Sequence, residues 1–459
     1  MKSVEKGDFS KGSISSNVFR LAFPIILAEL VQVAYSIVDR MYIGHIPGCG
    51  TEALTGIGLV LPFVTIITAF ANLCSYGGAT LSAIARGEKD DSKACHIMEN
   101  AFTLLLISGL VLMILFYFFT SDLLMIMGAD QTTAFYACEY FDIYIIGTVF
   151  VLISLGMNSF INMQGFSGIG MYTVLIGAVL NIILDPLLIF TLNMGIKGAA
   201  VATVISQFFS ALWVVAFLAG KKAPIKLRHL RVEKQISFDI MKLGVSGFTF
   251  KATNSITQGI VNATLRQFGG VYGTLYIASM SIINSIREVT YQPVSGFVEG
   301  AKPVISYNYG AKKYSRVDKS IAFLMKMSLG YIVFIWAILM LFPQLLVRIF
   351  TSDPDLIATC IPCIRIYFCM FFMMPLQTST QNAFTALKHP GYAVFFSLLR
   401  KVFLIVPLTI ILPRVGFGVL GVFWAEVFSE VIGASASSLC MYFKVWKPIK
   451  KLAASEAAA

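Results

Sequence analysis

Long apolar runs separated by short polar gaps repeat from one end of this sequence to the other, and no other feature constrains the fold as tightly. A run of about 20 apolar residues matches the ~30 Å hydrocarbon core of a bilayer, where each backbone polar group must be satisfied within the element itself. Twelve such runs occur. Those of the first half cover 17–43, 54–85, 101–119, 135–158, 171–190 and 198–219. Those of the second half cover 236–265, 271–298, 321–342, 357–383, 392–412 and 418–443. They are continuous rather than alternating, which predicts helices and not a membrane barrel. Over 459 residues the chain is 57% hydrophobic and only 13% charged, too apolar for a soluble domain. The fold expected is an all-α polytopic membrane protein.

Lys and Arg set the orientation. They gather in the N-terminus (Lys2, Lys6, Lys11), the second-to-third loop (Arg86, Lys89, Lys93) and the middle loop (Lys221, Lys222, Lys226, Arg228, Arg231, Lys234). The eighth-to-ninth loop (Lys312, Lys313, Arg316, Lys319) and the C-terminus (Lys444, Lys447, Lys450, Lys451) complete the set. With twelve spans all of these lie on one side, and the opposite loops hold chiefly Lys197, Arg266 and Arg414. Both termini are therefore expected on the cytoplasmic side of the plasma membrane that the chain crosses. The net charge of +11 is accounted for by topology and contact with membrane lipids, without nucleic acid. No short apolar run with a small-residue cleavage site precedes the first span, so that span is the expected membrane address.

The basic stretch "ARGEKDDS" from Ala85 recurs as "NYGAKKYS" from Asn308. At a constant offset of 223, Gly87, Lys89, Ser92 and Lys93 meet Gly310, Lys312, Ser315 and Arg316. The same offset pairs Asp130 with Asp353, Gly195 with Gly418, Gly198 with Gly421 and Ala202 with Ala425. One offset held across loops and spans marks an internal duplication. Six spans per copy give parallel repeats, and two such bundles suit alternating access by a carrier. The expected organisation is an N-lobe (1–220), a basic linker (221–235), a C-lobe (236–446) and a C-terminal tail (447–459) of little information.

Nothing points to an enzyme. His45, His96, His229 and His389 lie at or near predicted loops, outside any H-E-x-x-H spacing, and no nucleophile elbow or P-loop occurs. The eight cysteines, Cys360 and Cys363 included, lack a second pair or a nearby His and read as packing residues. No cofactor and no structural metal are expected.

Chemistry belongs where ionisable groups interrupt the spans. In the first span Glu29, Gln32, Ser36 and Asp39 recur along one helical face. In the fifth, Asn181 and Asp185 are i and i+4, and Pro186 withholds a donor from the carbonyl of Ile182. Thr203 lies a couple of turns into the sixth. Counted from the span ends, Asp39, Asp185 and Thr203 fall at similar heights in the outer half of the membrane. Such a group offers hard oxygen ligands for Na⁺, or a carboxylate pair sharing one proton. The offset sets Asn262, Leu404, Leu408 and Glu426 against Asp39, Asn181, Asp185 and Thr203, so the ion site is expected to be asymmetric between the halves.

The stretches "IVDRMYIG", "ALTGIGLVLP", "LNIILDPLLIF", "GIKGAAVAT" and "PVSGFVEGAKPVISYNYGAKK" carry a resemblance to the multidrug and toxic compound extrusion (MATE) family over essentially the whole chain. The chain is most similar to the bacterial branch that holds the DNA-damage-inducible relatives and the staphylococcal-type multidrug pumps. The resemblance implies a twelve-helix, two-lobe antiporter exporting cationic or amphipathic small molecules by alternating access, driven by inward H⁺ or Na⁺. It implies cation-coupling roles for Asp39, Asn181, Asp185 and Thr203, and matches Pro24 to a first-helix proline at which the helix can bend.

On the eighth span Glu288, Gln292, Ser295 and Glu299 share a face and could draw a cationic substrate; alternatively Arg287 pairs with Glu288, and Glu299 approaches the interface near Lys302. Asn254, Gln258 and Asn262 give the seventh span a polar stripe facing water. Two further readings remain: a flippase for lipid-linked precursors, which needs a strongly cationic cavity where only Lys251, Arg287, Arg365, Arg400 and Lys401 interrupt the spans, and an ion channel, for which no filter motif is visible. The chain is expected to act as a monomer.

Overall fold

A computed structural model describes residues 8–126 and 131–458; Lys2, Lys6 and Asp130 lie outside the described residues. Among the described residues every regular element is a helix. The first half holds α1 (Ile14–Gly44), α2 (Gly50–Gly87), α3 (Asp91–Ile126), α4 (Gln131–Ile146), α5 (Thr148–Met163), α6 (Ser167–Pro186) and α7 (Gly195–Ala219). Then come α8 (Lys234–Gly269), α9 (Gly273–Gly310), α10 (Tyr314–Leu341), α11 (Pro343–Arg348), α12 (Pro354–Phe368) and α13 (Met374–Ala386). The last are α14 (Pro390–Leu398), α15 (Val406–Ile411), α16 (Gly421–Cys440) and α17 (Lys447–Ala458).

Nine helical stretches among the described residues are long and apolar enough to cross a membrane, and the bent pair α4–α5 makes a tenth. The polar stripe of α8 and the charges of α9 lower their hydropathy, yet at 36 and 38 residues both are long enough, giving twelve segments. The helices outrun the apolar stretches that announce them. The 36 residues of α3 span about 54 Å at ~1.5 Å per residue, so both polar ends stay helical beyond the hydrocarbon.

Several expected spans depart from a continuous α-helix. The fourth bends by 56° between Ile146 and Thr148. There, Gly147 passes so close to α7 that an added Cβ would lie 2.8 Å from Val204 Cγ2. In the tenth, α12 and α13 are separated by a 3₁₀ turn at Phe371–Met373. In the eleventh, a π-helical segment, Leu399–Ile405, precedes α15, where Pro407 has no N–H for the carbonyl of Phe403. A similar π segment, Leu187–Thr191, follows Pro186. The helix of α1, by contrast, runs unbroken through Pro24. Residues 447–458, read from sequence as an uninformative tail, form α17, which docks on the start of α10: the Ser315 N–H donates to Glu456 Oε2 at 3.0 Å. Just before it, Trp446 Nε1 donates to Asp318 Oδ1 at 2.5 Å.

The chain divides into two compact units, Met1–Lys11 with Phe23–Lys251, and Gly12–Ala22 with Ala252–Ala459. In the first, the rings of Phe63, Phe116 and Phe141 meet at centroid distances of 5.3 to 5.7 Å in the core. The first part of α8 stays with this unit because α2 and α8 cross on paired glycines. A Cβ on Gly77 would lie 1.9 Å from the Ile240 carbonyl oxygen, and one on Gly244 1.7 Å from that of Leu73. The basic middle segment is bound to α3. Glu99 accepts the N–H groups of Arg228 and His229 at 3.3 and 3.0 Å and pairs with Arg231 at 3.1 Å. In the second unit Gly300 of α9 admits Ala22 of α1, whose N would lie 2.7 Å from an added Cβ.

The duplication is visible in the backbone. Lys89 and Lys312 both adopt positive φ, 63° and 56°, and each ends its helix with the same pair of hydrogen bonds. The Lys89 and Asp90 N–H groups donate to the carbonyls of Arg86 and Ala85; those of Lys312 and Lys313 donate to Tyr309 and Asn308. At the same offset of 223, positive φ recurs at Gly165 and Lys388, Asn193 and Gly416, and Gly195 and Gly418.

Candidate functional site

In the first unit three helices bring the carboxyl cluster together. The i, i+4 spacing on α6 stacks Asn181 on Asp185, and Asn181 Nδ2 donates to Asp185 Oδ1 at 3.1 Å. The same amide reaches Thr203 Oγ1 of α7 at 3.4 Å. From α1, Asp39 brings its carboxyl beside that of Asp185. Asp185 and Asn181 are only 0% and 2% exposed. All four residues of the expected set therefore meet.

Two carboxyl groups brought side by side cannot both ionise cheaply, which favours a shared proton or a cation between them. Three oxygens of the cluster, Asp39 Oδ1, Asp185 Oδ2 and Asn181 Oδ1, are buried without a hydrogen-bond partner among the described residues. Buried lone pairs left unmatched cost free energy that a proton or a hard cation would recover. The cluster thus gathers oxygen groups from three helices, two of them carboxyls. Tyrosines close around it. Tyr35 accepts from Gln32 Nε2 at 3.1 Å, and Tyr140 stacks on Tyr144 with centroids 5.9 Å apart. They were not singled out from sequence, although Tyr136, Tyr140 and Tyr144 recur every four residues there. Glu29 lies ten residues before Asp39, about 15 Å along α1, and is outside this cluster.

The second unit differs. Glu288 is exposed, Gln292 and Glu299 are half-buried, and Glu299 pairs with Lys302 at 4.0 Å. The expected Arg287–Glu288 pair does not form. Neighbouring helical residues point about 100° apart, and Arg287 instead faces Glu426 of α16 at 3.8 Å. Arg400 Nη2 bridges Glu426 Oε1, at 2.7 Å, and Glu430 Oε2, while Lys401 Nζ lies 3.9 Å from Glu426. Arg400 and Lys401 are 4% and 5% exposed, deep in the fold and not at a span end. Glu430 was missed, although Glu426 and Glu430 at i, i+4 facing an "RK" inside an apolar run were a legible signal. Gln258 of the polar stripe donates to Asn262 at 3.5 Å, and Asn254 and Gln258 line a cavity of about 120 Å³ beside these charges.

The eight cysteines are free thiols, and no cluster of metal-ligating side chains occurs among the described residues.

Residues 24–187 and 252–411 match the MatE family. Multidrug export protein MepA of Staphylococcus haemolyticus is 24% identical over 444 residues, covering 96% of each chain. MepA of Staphylococcus saprophyticus is 26% identical over 448 residues with the same coverage. A solved structure described as MATE in the bent conformation superposes with a TM-score of 0.90 at 23% identity, over 99% of this chain and 100% of its own. At that identity the likeness speaks for the fold alone.

Proposed function

The chain belongs to the MatE family, and from that premise we propose that it is a cation-coupled antiporter exporting amphipathic or cationic small molecules by alternating access across the bacterial cytoplasmic membrane. MepA relatives that match nearly end to end are multidrug export proteins, which favours the same class of cargo here. The observation that supports the coupling half of the reading is the juxtaposition of the Asp39 and Asp185 carboxyls with Asn181 and Thr203, three of whose buried oxygens lack a hydrogen-bond partner among the described residues. An inward-moving H⁺ or Na⁺ occupies the cluster in one state of the cycle and leaves it in another. A cation that binds the two states with different affinity biases the cycle, and one that does not cannot.

In this reading an N-lobe of residues 1–220 and a C-lobe of 236–446 each supply six spans, both termini are cytoplasmic, and one copy of the chain is sufficient. Glu29, Gln32, Asn262, Glu288, Gln292 and Glu299 provide further polar positions for cargo along the first, seventh and eighth spans. The flippase reading is weaker: the cations Arg287, Arg400 and Lys401 are largely offset by Glu426 and Glu430, which leaves no strongly cationic cavity for a pyrophosphate.

The deciding experiment is uptake of a fluorescent organic cation into proteoliposomes, with a proton or a sodium gradient imposed separately. One of the two gradients is expected to drive accumulation that saturates with substrate and collapses when that gradient is dissipated. Failure of both gradients to drive any transport by monodisperse protein refutes the proposal.

A further inference from the structure

The charged cavity of the second unit has the opposite polarity to the Asp39 cluster, and nothing in cation coupling uses it. Three cations, Arg287, Arg400 and Lys401, stand against two carboxylates, Glu426 and Glu430. Arg400 is committed, bridging both carboxylates. Glu426 is the shared neighbour of all three cations, so one formal positive charge is left over, with Arg400 and Lys401 buried and Arg287 partly exposed. An unmatched charge among such partly desolvated groups is costly and favours a counter-ion.

The surplus faces the cavity. Arg287 and Lys401 reach Glu426 only at 3.8 and 3.9 Å, beyond hydrogen-bonding distance, and both line the space of about 120 Å³. The amide side chains of Asn254, Gln258 and Asn284 line it as well, each able to turn an NH₂ group inward. A volume of this size holds about four waters at ~30 Å³ each, far short of the ~300 Å³ or more of a drug-sized pocket. It therefore suits a small ion, or the charged head of a larger molecule. A cation would enter beside three like charges, whereas a monovalent anion would neutralise the surplus and accept from two uncommitted cationic groups.

We propose that this cavity is an anion site, in which Arg287 and Lys401 hold a single monovalent anionic group: the carboxylate of an amphipathic organic acid, or a halide. With such a site the second unit recognises anionic or zwitterionic compounds, a class that the acidic cluster of the first unit would repel.

The test is equilibrium binding of radiolabelled benzoate to the purified full-length protein in a gluconate buffer, with benzamide as the uncharged isostere. Saturable binding of benzoate but not of benzamide is expected. Lys401→Met removes the surplus charge and leaves two cations balancing two carboxylates, so the fold is retained and benzoate affinity falls by at least roughly tenfold. Glu430→Gln preserves shape, raises the surplus to two charges and tightens benzoate binding. Competition by millimolar chloride identifies a halide as an occupant, and its absence identifies an organic acid; either agrees with the site. Equal binding of benzoate and benzamide, or benzoate affinity unchanged in both variants, overturns the proposal. Should Lys401→Met not purify as a monodisperse protein, the direction of the Glu430→Gln shift decides.

Discussion

Replacing Asp185 by Asn separates coupling from folding, because the contacts of the side chain define what the substitution keeps. The amide oxygen can still accept from Asn181 Nδ2 at the 3.1 Å now made by Oδ1, and the new NH₂ group falls where the carboxyl meets Asp39. It can donate to an ionised Asp39, so the pair can bond without needing a proton. Stability should then change by no more than about 1 kcal/mol, the worth of one altered hydrogen bond. Transport should change far more. A tenfold gradient of the driving cation supplies about 1.4 kcal/mol per coupled ion, enough to hold substrate at about a tenfold concentration ratio. A cluster that no longer exchanges its cation supplies none of this, and the ratio falls to about one. The assay is steady-state accumulation of a fluorescent cation in proteoliposomes under the gradient that drives the parent, with yield, monodispersity and thermal midpoint measured alongside. A well-folded Asp185→Asn protein that reaches the parental ratio would refute the assignment of the coupling site.

Asp39→Asn should lose accumulation likewise, while Thr203→Ala, which deletes one neutral ligand, should weaken it only partly under the same gradient. Arg400→Met leaves Glu426 and Glu430 buried together without their bridge and should lower stability by about 3–5 kcal/mol, read from denaturation in detergent. Gly198→Ala and Gly421→Ala each place a Cβ 2.8 Å from backbone, at Leu188 C and Leu412 C, and should each destabilise by about 1–3 kcal/mol in the same measurement. Single cysteines at Lys89 and Lys312 in a cysteine-free background should be shielded from an impermeant reagent outside cells, while one at Lys197 reacts; opposite labelling of Lys89 and Lys312 would exclude parallel repeats.

What the sequence determined by itself was the class of fold, the duplication, and those parts of the site that lie along single helices. Apolar run length answers to bilayer thickness, and a 3.6-residue turn makes the pairing of Asn181 with Asp185 a local fact. Depth counted from span ends was enough to anticipate that Asp39 and Thr203 would join them. The repeat was only partly legible. Lys89 matches Lys312 in letters, but Gly165 matches Lys388, and Asn193 matches Gly416, only in backbone conformation, since any of these residue types can take the left-handed turn in which its helix or loop ends. Tertiary structure alone decided the rest. Arg287, Arg400, Glu426 and Glu430 come from α9, the π segment before α15, and α16, and their meeting depends on how each helix is rotated about its axis. In a soluble protein an apolar stripe would have revealed that rotation. Lipid rewards apolar side chains on every outward face, so here the stripe is missing, and only packing shows which side of each helix turns inward.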